Sequence, residues 1–383
     1  MTHPVEGGVT APRGFKAAGV YCGIKKSATT RSGEPNLDLA LVTADGPVSA
    51  AGVFTTNRAV AAPVVVSREH LAASHGRAAA IVINSGCANA CTGAAGAIVA
   101  HEMAATTAKA VGCEPAHVLI ASTGVIGVAL DIEKIRAGVG AAAHALSSTG
   151  GHLATRAIMT TDPFPKSHAV TMGTGADAIT VGGMAKGSGM IEPRMATMLG
   201  VLTTDAQVEP AILQAALARI VDETFNAITV DGECSTNDCV FALASGASGV
   251  AITRADDPRL LDPLRAVAGH LAREIVRGGE GATKLVTVKV TGAATRADAW
   301  LAARTISNSP LVKTAIHGGD PRRRVAGGAH DLEFAAGEDG DSRRRSELGP
   351  PHRGRGPIGR GVRAGSGVGH DWRRAALRAR RAL

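Results

Sequence analysis

The sequence is poor in aromatic side chains. Six Phe, two Trp and one Tyr are its only such residues among 383. Aromatic rings are the stacking platforms of proteins that bind single-stranded nucleic acid, so this composition argues against that class. Apolar residues still make up 45% of the chain, which is enough for a sizeable core. We therefore expect a core of aliphatic side chains and alanine.

Long apolar runs are also missing. No stretch of about 18 apolar residues could cross a bilayer, and no short apolar block follows a basic start near the N-terminus. The six cysteines are scattered along the chain. Scattered cysteines in a chain of this length are typical of reduced thiols, so we expect a cytoplasmic protein that makes no membrane contact.

Motifs for metals and nucleotides are lacking as well. Cys87 and Cys91 lie four residues apart, but no CxxC or HxxxH pair accompanies them. We interpret them as ordinary small side chains rather than half of a zinc site. The glycine pairs at 182–183 and 278–279 match neither a P-loop nor a dinucleotide fingerprint. We expect no metal and no cofactor.

Basic charge is concentrated at the C-terminal end. Residues 321–383 hold 15 Arg, no Lys and seven acidic residues, so they account for the whole net charge of +8. A frameshifted reading of a GC-rich gene would give this composition, and so would an arginine-rich tail that binds nucleic acid. Because acidic residues interrupt the basic run, we favour the frameshift, expect no nucleic-acid partner, and expect a disordered tail.

Residues 1–320 alternate apolar runs with amphipathic stretches, which is typical of a mixed α/β protein. Asp131 suits a helix N-cap, and Pro210 suits the first position of a helix. The patterns predict strands over 78–83, 197–202 and 285–290, and helices over 94–111, 131–145, 210–221, 264–276 and 296–306.

One segment predicts self-cleavage. Residues 186–206 join a glycine-rich turn to Ala196-Thr197 and then to an apolar run. A threonine hydroxyl becomes a good nucleophile when its own α-amino group is free to act as the base, which needs a chain break before Thr197. Attack of Thr197 Oγ on the carbonyl of Ala196 would form an ester that water hydrolyses. Taken alone, the segment also fits an ordinary turn that enters a strand.

Nine blocks spread over residues 10–321 form a series. They are GFKAAGVYCGIK at 14–25, AAGVFTTN at 50–57, INSGCANACTG at 83–93, STGVIG at 122–127, MTTD at 159–162, KGSGMIEP…ATML…LTTDA at 186–206, DGECSTND at 231–238, GEGATK at 279–284 and SPLVKTAIHGGDP at 309–321. In this order they resemble the ornithine acetyltransferases, also called bifunctional glutamate N-acetyltransferases or the ArgJ family.

The resemblance implies an α/β fold with αββα-like layers, which the protein cuts into two chains that stay together. Cleavage before Thr197 would leave residues 1–196 as the first chain. Residues 197–321 would form the body of the second chain, followed by the aberrant tail 322–383. The resemblance also implies a heterotetramer with two copies of each chain.

The same resemblance implies an activity in arginine biosynthesis. An acetyl group would move from N2-acetyl-L-ornithine to L-glutamate through an acetyl ester on Thr197, and acetyl-CoA remains open as a further donor. Thr123 and Gly124 match the family's oxyanion hole. The positions that match its substrate-binding residues are Thr160, Lys186, Thr197 and Glu280.

Two of these residues carry charges that suit amino-acid substrates. Lys186 can pair with a carboxylate and Glu280 with an ammonium group, although most single charges lie on solvated faces. Asp231 and residues 235–238 match a block near the active site. We interpret them as groups that hold loops through backbone hydrogen bonds rather than as catalysts.

The family pattern stops after Pro321, where Asn-Trp-Gly-Arg and two C-terminal pocket residues would follow. Alternatives therefore remain open. The chain could be the acetyltransferase, an inactive remnant of it, or a related self-cleaving amidase or aminopeptidase.

Overall fold

The computed structural model describes residues 1–192, 198–317 and 329–335. These belong to one unit of the chain, Met1–Ala336, while the second unit, Gly337–Leu383, lies outside the described residues. The strands are β1 (Thr2–Pro4), β2 (Phe15–Val20), β3 (Leu39–Phe54), β4 (Arg77–Cys87), β5 (Val118–Val125), β6 (Lys166–Met172), β7 (Ile179–Lys186), β8 (Leu199–Thr204), β9 (Gln207–Val208), β10 (Cys239–Ala244), β11 (Ala251–Ile252), β12 (Leu285–Thr291) and β13 (Ala329–Ala335). The α-helices are α1 (Ala62–Ala73), α2 (Gly93–Val111), α3 (Ile132–His144), α4 (Gly151–Ala157), α5 (Pro210–Glu223), α6 (Pro258–Arg277), α7 (Arg296–Ser307) and α8 (Pro310–His317).

Nine strands form one mixed sheet. Its order is β1-β6-β7-β8-β10-β3-β4-β5, with β2 paired to β3. Two neighbouring pairs are parallel, β8 with β10 and β4 with β5, and the others are antiparallel. The predicted mixed α/β fold is confirmed. Across the described ranges, no helix combines the length and the apolar character that spanning a bilayer requires.

Alternating side chains divide the core into three layers. On β10, Phe241 belongs to a central cluster, whereas its neighbour Val240 packs against α5 and α6. On β4, Ile81 belongs to the same central cluster, whereas its neighbour Val82 packs against α2 and α3. The two halves of the sheet therefore share a core between them, and each half is covered by helices on its other face. This arrangement is an αββα layering.

The sequence located most elements well and misjudged some ends. Asp131 caps α3 as predicted, because its side chain accepts hydrogen bonds from the backbone of Glu133 and Lys134. Helix α6 begins at Pro258 rather than at Leu264. The prediction started late because proline usually marks a helix boundary, whereas here Pro263 lies inside the helix.

A short strand occurs within residues 322–383, where the composition predicts a disordered tail. The backbone of β13 pairs in parallel with β12, from Leu285 opposite Ala329 to Thr291 opposite Ala335. Within the segment AHDLEFA, residues 331–334 alternate polar and apolar side chains, which is the period of a strand. The rest of 322–383 lies outside the described residues.

Candidate active site

Two residues that the sequence predicted for the site are in contact. Lys186 is the last residue of β7 and is only 8% exposed, and its ammonium group donates a hydrogen bond to Thr123 Oγ1 at 3.1 Å. Thr123 lies near the end of β5 and is half-buried. A hydroxyl oxygen that accepts this bond keeps its own proton available for another acceptor. Thr123 is therefore arranged as a donor.

The carboxylate of Asp162 holds the surrounding backbone in place. It accepts hydrogen bonds from the Lys166 ammonium at 2.6 Å, from the Gly187 amide at 2.8 Å and from the Thr160 amide at 3.0 Å. Burial would raise the pKa of Asp162, but the charges of Lys186 and Lys166 outweigh burial and hold this pKa below its ordinary value. This carboxylate thereby fixes Thr160 and the turn after Lys186.

The ammonium group of Lys186 is buried and therefore desolvated. Burial lowers the pKa of Lys186, and the nearby positive charge of Lys166 lowers it further. The negative charges of Asp162, Asp238 and Glu280 oppose this shift without cancelling it. A buried cation whose charged form is disfavoured gains stability when an anion binds beside it. Lys186 is therefore suited to receive a substrate carboxylate.

Glu280 lies against the turn that follows Lys186. Its backbone amide donates to the carbonyl of Ser188 at 2.9 Å. A Cβ placed on Gly189 would come within 2.8 Å of the Glu280 carboxyl carbon, so a larger residue there would push this carboxylate aside. Glu280 is exposed. A negative group is thus available to solvent close to the buried Lys186.

Gly124 occupies a position that no other residue fits. Its φ is +132°, and a Cβ there would lie 2.3 Å from the carbonyl carbon of Gly86, its partner on the parallel strand β4. Both the positive φ and the close approach require glycine. The structure thus brings Thr123, Gly124, Thr160, Lys186 and Glu280 into one region.

The predicted cleavage site, Ala196 and Thr197, lies outside the described residues. The described residues on its two sides are anchored. The carboxylate of Glu192 accepts hydrogen bonds from Arg304 and Asn308. On the other side, the Met198 carbonyl accepts from the Cys239 amide at 3.2 Å.

Two aspartates of the block 231–238 differ in what they do. Asp231 accepts hydrogen bonds from the amides of Met190 and Ile191, and so holds a turn in which Met190 has a φ of +60°. Asp238 is almost fully buried, and its carboxylate accepts from the amide of Met198. Sequence reasoning gave Asp238 only a loop role. Its position directly before the apolar strand β10 was the signal that a buried charge lies there.

Comparison with known proteins places this chain in a family. The family model described as ArgJ family matches residues 16–331. The chain is 50% identical over 326 residues to the arginine biosynthesis bifunctional protein ArgJ of Symbiobacterium thermophilum, covering 82% of this chain and 78% of that protein. It is 46% identical over 344 residues to the protein of the same name from Gloeobacter violaceus, covering 86% and 81%.

Solved structures are similar as well. An ornithine acetyltransferase from Mycobacterium tuberculosis, solved in complex with ornithine, is 45% identical, and the match covers 50% of this chain and 98% of that one with a TM-score of 0.45. A β-aminopeptidase from a Burkholderia species is 13% identical, with 73% and 89% covered and a TM-score of 0.47.

Proposed function

This chain belongs to the ArgJ family, and on that premise we propose that it transfers an acetyl group from N2-acetyl-L-ornithine to L-glutamate through an acetyl ester on Thr197. The observation that carries the proposal is the hydrogen bond from Lys186 to Thr123 Oγ1. It leaves the Thr123 proton free for an oxyanion, and acyl transfer creates an oxyanion in each half-reaction.

The nucleophile is made by self-cleavage. Thr197 Oγ attacks the carbonyl carbon of Ala196, the C–N bond breaks, and the resulting ester is hydrolysed by water. The products are a carboxylate on Ala196 and a free α-amino group on Thr197. That amino group then acts as the base for the hydroxyl of the same residue.

Acetyl transfer follows in two steps. Thr197 Oγ attacks the acetyl carbon of the donor while its proton passes to the α-amino group, and ornithine leaves with a proton on its nitrogen. The amine of glutamate then attacks the acetyl ester and releases N-acetylglutamate and the hydroxyl. In both steps the Thr123 hydroxyl and the Gly124 amide donate to the oxyanion.

The charges of the site support amino-acid substrates. The α-carboxylate of either substrate pairs with the ammonium group of Lys186, which is desolvated by burial. The ammonium group of ornithine pairs with the exposed carboxylate of Glu280, and Thr160 donates or accepts a hydrogen bond through its hydroxyl. Acetyl-CoA as an alternative donor would acetylate the same Thr197 hydroxyl and release coenzyme A.

Two observations on purified protein test the proposal. Wild-type protein should run as two fragments, the second starting Thr-Met-Leu-Gly, whereas Thr197→Ala should stay at full length. Acetylornithine supplied without an acceptor should add about 42 Da to the second fragment only, because one acetyl group replaces one proton on the nucleophile. A folded wild type that remains uncut, or a label on the first fragment, would contradict the mechanism.

The assembly and the C-terminal tail belong to the proposal too. We expect two copies of each fragment to form a heterotetramer, which sedimentation of the cleaved protein checks.

We also expect residues 322–383 to replace the sequence that supplies two pocket residues in relatives, so that acetyl transfer is weak in this chain. Sequencing the gene around codons 318–323 would show whether one base restores Asn-Trp-Gly-Arg.

A further inference from the structure

A second cation lies beside the candidate site, on the loop between β2 and β3. Lys25 is one of three loop residues whose backbone amides donate to the carboxylate of Asp38, at 2.7 Å from Cys22, 2.7 Å from Ile24 and 3.0 Å from Lys25 itself. Asp38 directly precedes β3 and is fully buried. A buried carboxylate that accepts three amide hydrogen bonds fixes the backbone around it. The loop therefore holds Lys25 in one defined position.

The stem of Lys25 packs over the strand pair that carries Gly124. A Cβ placed on Gly86 would lie 3.2 Å from Cγ of Lys25 and 3.3 Å from its backbone nitrogen. Gly86 on β4 lies opposite Gly124 on β5, and a Cβ on Gly124 would come within 2.3 Å of the Gly86 carbonyl carbon. Lys25, Gly86 and Gly124 are therefore successive neighbours. One glycine separates Lys25 from the predicted oxyanion donor.

The ammonium group of Lys25 has unused hydrogen-bond donors. It donates to the Leu37 carbonyl at 2.7 Å, and the part of the chain that the structure describes offers it no second hydrogen bond. An ammonium group carries three N–H donors. Lys25 is half-buried, so the other two donors are open to an acceptor that enters from solvent. A ligand oxygen with a negative charge suits them best.

Charges connect Lys25 to the residues of the candidate site. Burial lowers the pKa of Lys25 to about 8, while the carboxylates of Asp38 and Asp162 oppose this shift and the positive charge of Lys186 adds to it. Asp162 and Lys186 already belong to the site, so Lys25 lies within the electrostatic reach of both. Two desolvated cations near each other, Lys25 and Lys186, are both stabilised when anions bind beside them. The pair thus favours a ligand with two carboxylates.

The proposed substrates differ in how many carboxylates they carry. N2-acetyl-L-ornithine has one carboxylate and a side-chain ammonium, whereas glutamate has two carboxylates. Lys186 pairs with the α-carboxylate of either substrate, and Glu280 suits only the ammonium, because its own negative charge repels a second carboxylate. Lys166 is fully buried and already paired with Asp162. The side-chain carboxylate of glutamate therefore has no partner among the residues predicted from the sequence.

We propose that Lys25 binds the side-chain carboxylate of glutamate and thereby selects glutamate as the acetyl acceptor. This inference rests on the proposed acetyl transfer and concerns only its second half-reaction. Lys25 donates hydrogen bonds to the acceptor and takes no part in breaking or forming a covalent bond. Because acetylornithine lacks the second carboxylate, its transfer of acetyl to the enzyme does not need Lys25.

Glutamine isolates this contact, because it matches glutamate in shape but carries no side-chain charge. Protein acetylated with acetylornithine is mixed with either amino acid, and the loss of about 42 Da from the second fragment is followed by mass spectrometry. The kcat/KM of the wild type for glutamate should exceed that for glutamine about 10- to 100-fold, the usual effect of a hydrogen bond to a charged group. Lys25→Met should remove this preference and leave acetylation by acetylornithine unchanged.

Lys26→Met is the matched control, since Lys26 is the next residue of the same loop and is exposed. It should keep the full preference for glutamate, and Lys25→Arg, which retains the positive charge, should keep most of it. If Lys25→Met does not fold, Lys25→Gln removes the charge, leaves a donor for the Leu37 carbonyl and makes the same comparison. An equal loss toward glutamate and glutamine, or an unchanged preference in Lys25→Met, overturns the inference.

Binding measurements on the full chain need no turnover. Calorimetric titration compares glutamate with glutamine, and tighter binding of glutamate that Lys25→Met abolishes supports the inference even where transfer is slow. Equal binding of the two amino acids by the wild type, or no binding of glutamate, overturns it.

The proposed function is tested separately by cleavage and acetylation. A wild type that acetylornithine acetylates, but whose preference does not depend on Lys25, removes only the inference. A folded wild type that is neither cut nor acetylated removes the proposed function, and the role of Lys25 in acceptor choice falls with it.

Discussion

Lys186 and Thr123 are joined by a hydrogen bond of 3.1 Å although they lie on strands far apart in the sheet. Four strands, β8, β10, β3 and β4, lie between β7 and β5 in the sheet order. The contact exists because the two halves of the sheet stack on a shared apolar core. The site is thus assembled by the stacking of the two halves of the sheet.

Replacing Lys186 by Met should weaken substrate binding. The change keeps the shape of the chain but removes the positive charge and the hydrogen bond to Thr123. A hydrogen bond to a charged group contributes about 1.5–3 kcal/mol, so kcat/KM for acetylornithine should fall about 10- to 100-fold. Lys109→Met, at an exposed position on α2, is the control and should leave kcat/KM unchanged. Equal values in the two variants would contradict the role of Lys186.

Removing the hydroxyl of Thr123 should slow acetylation of the nucleophile. One oxyanion donor contributes on the order of 10²–10³ in rate, so Thr123→Ala should lose about that factor in kcat. Thr123→Ser keeps the hydroxyl and should retain most of the rate. Single-turnover labelling of the Thr197 fragment measures both variants. An equal loss of rate in Thr123→Ser and in Thr123→Ala would indicate that packing, and not the hydroxyl, is responsible.

Adding a methyl group at Gly124 should disrupt the site. The new Cβ would lie 2.3 Å from the carbonyl carbon of Gly86, so β5 must shift away from β4. Gly127→Ala is a control for the positive φ alone, because Gly127 has a φ of +78° and open space around its Cβ position. We expect Gly127→Ala to cost about 1 kcal/mol of unfolding free energy and Gly124→Ala clearly more. Denaturant unfolding compares them.

The buried pair of Lys166 and Asp162 should contribute to stability in a pH-dependent way. Both side chains are almost fully buried, and Lys166→Met leaves the Asp162 carboxylate without its nearest cation. Removing one partner of such a pair costs about 3–5 kcal/mol of unfolding free energy near neutral pH. Urea unfolding of the variant and the wild type measures this cost.

The contribution of Asp162 to the unfolding free energy should also depend on pH in the acid range. The pKa of Asp162 is lower in the folded protein than in the unfolded chain. Its contribution is therefore complete above about pH 3.9, the ordinary value of Asp, and is lost as pH falls through the folded pKa. In Lys166→Met the folded pKa of Asp162 rises toward its unfolded value, so this carboxylate has less stability to lose in acid, and the difference in unfolding free energy between wild type and variant should shrink as pH falls below about 3.9. Parallel acid curves for the two proteins would contradict this reading.

Local chemistry made much of the fold predictable. The apolar spacing of α5 and the capping side chain of Asp131 act over a few residues, so the sequence alone locates these helices. The start of α6 was misplaced because Pro263 is tolerated inside a helix that packs on the sheet. That packing involves residues distant in sequence, which a local pattern does not reveal.

The candidate site, too, was only partly predictable from the sequence. The sequence blocks determined which residue types are present, including Thr123 and Lys186, and they pointed to acetyl transfer at Thr197. Only the tertiary structure decided that Lys186 lies against Thr123, and that the carboxylate of Asp238, in the loop directly before β10, is almost fully buried. The physical reason is that contacts and burial depend on strands brought together from distant parts of the chain, whereas a sequence motif records only its own neighbours.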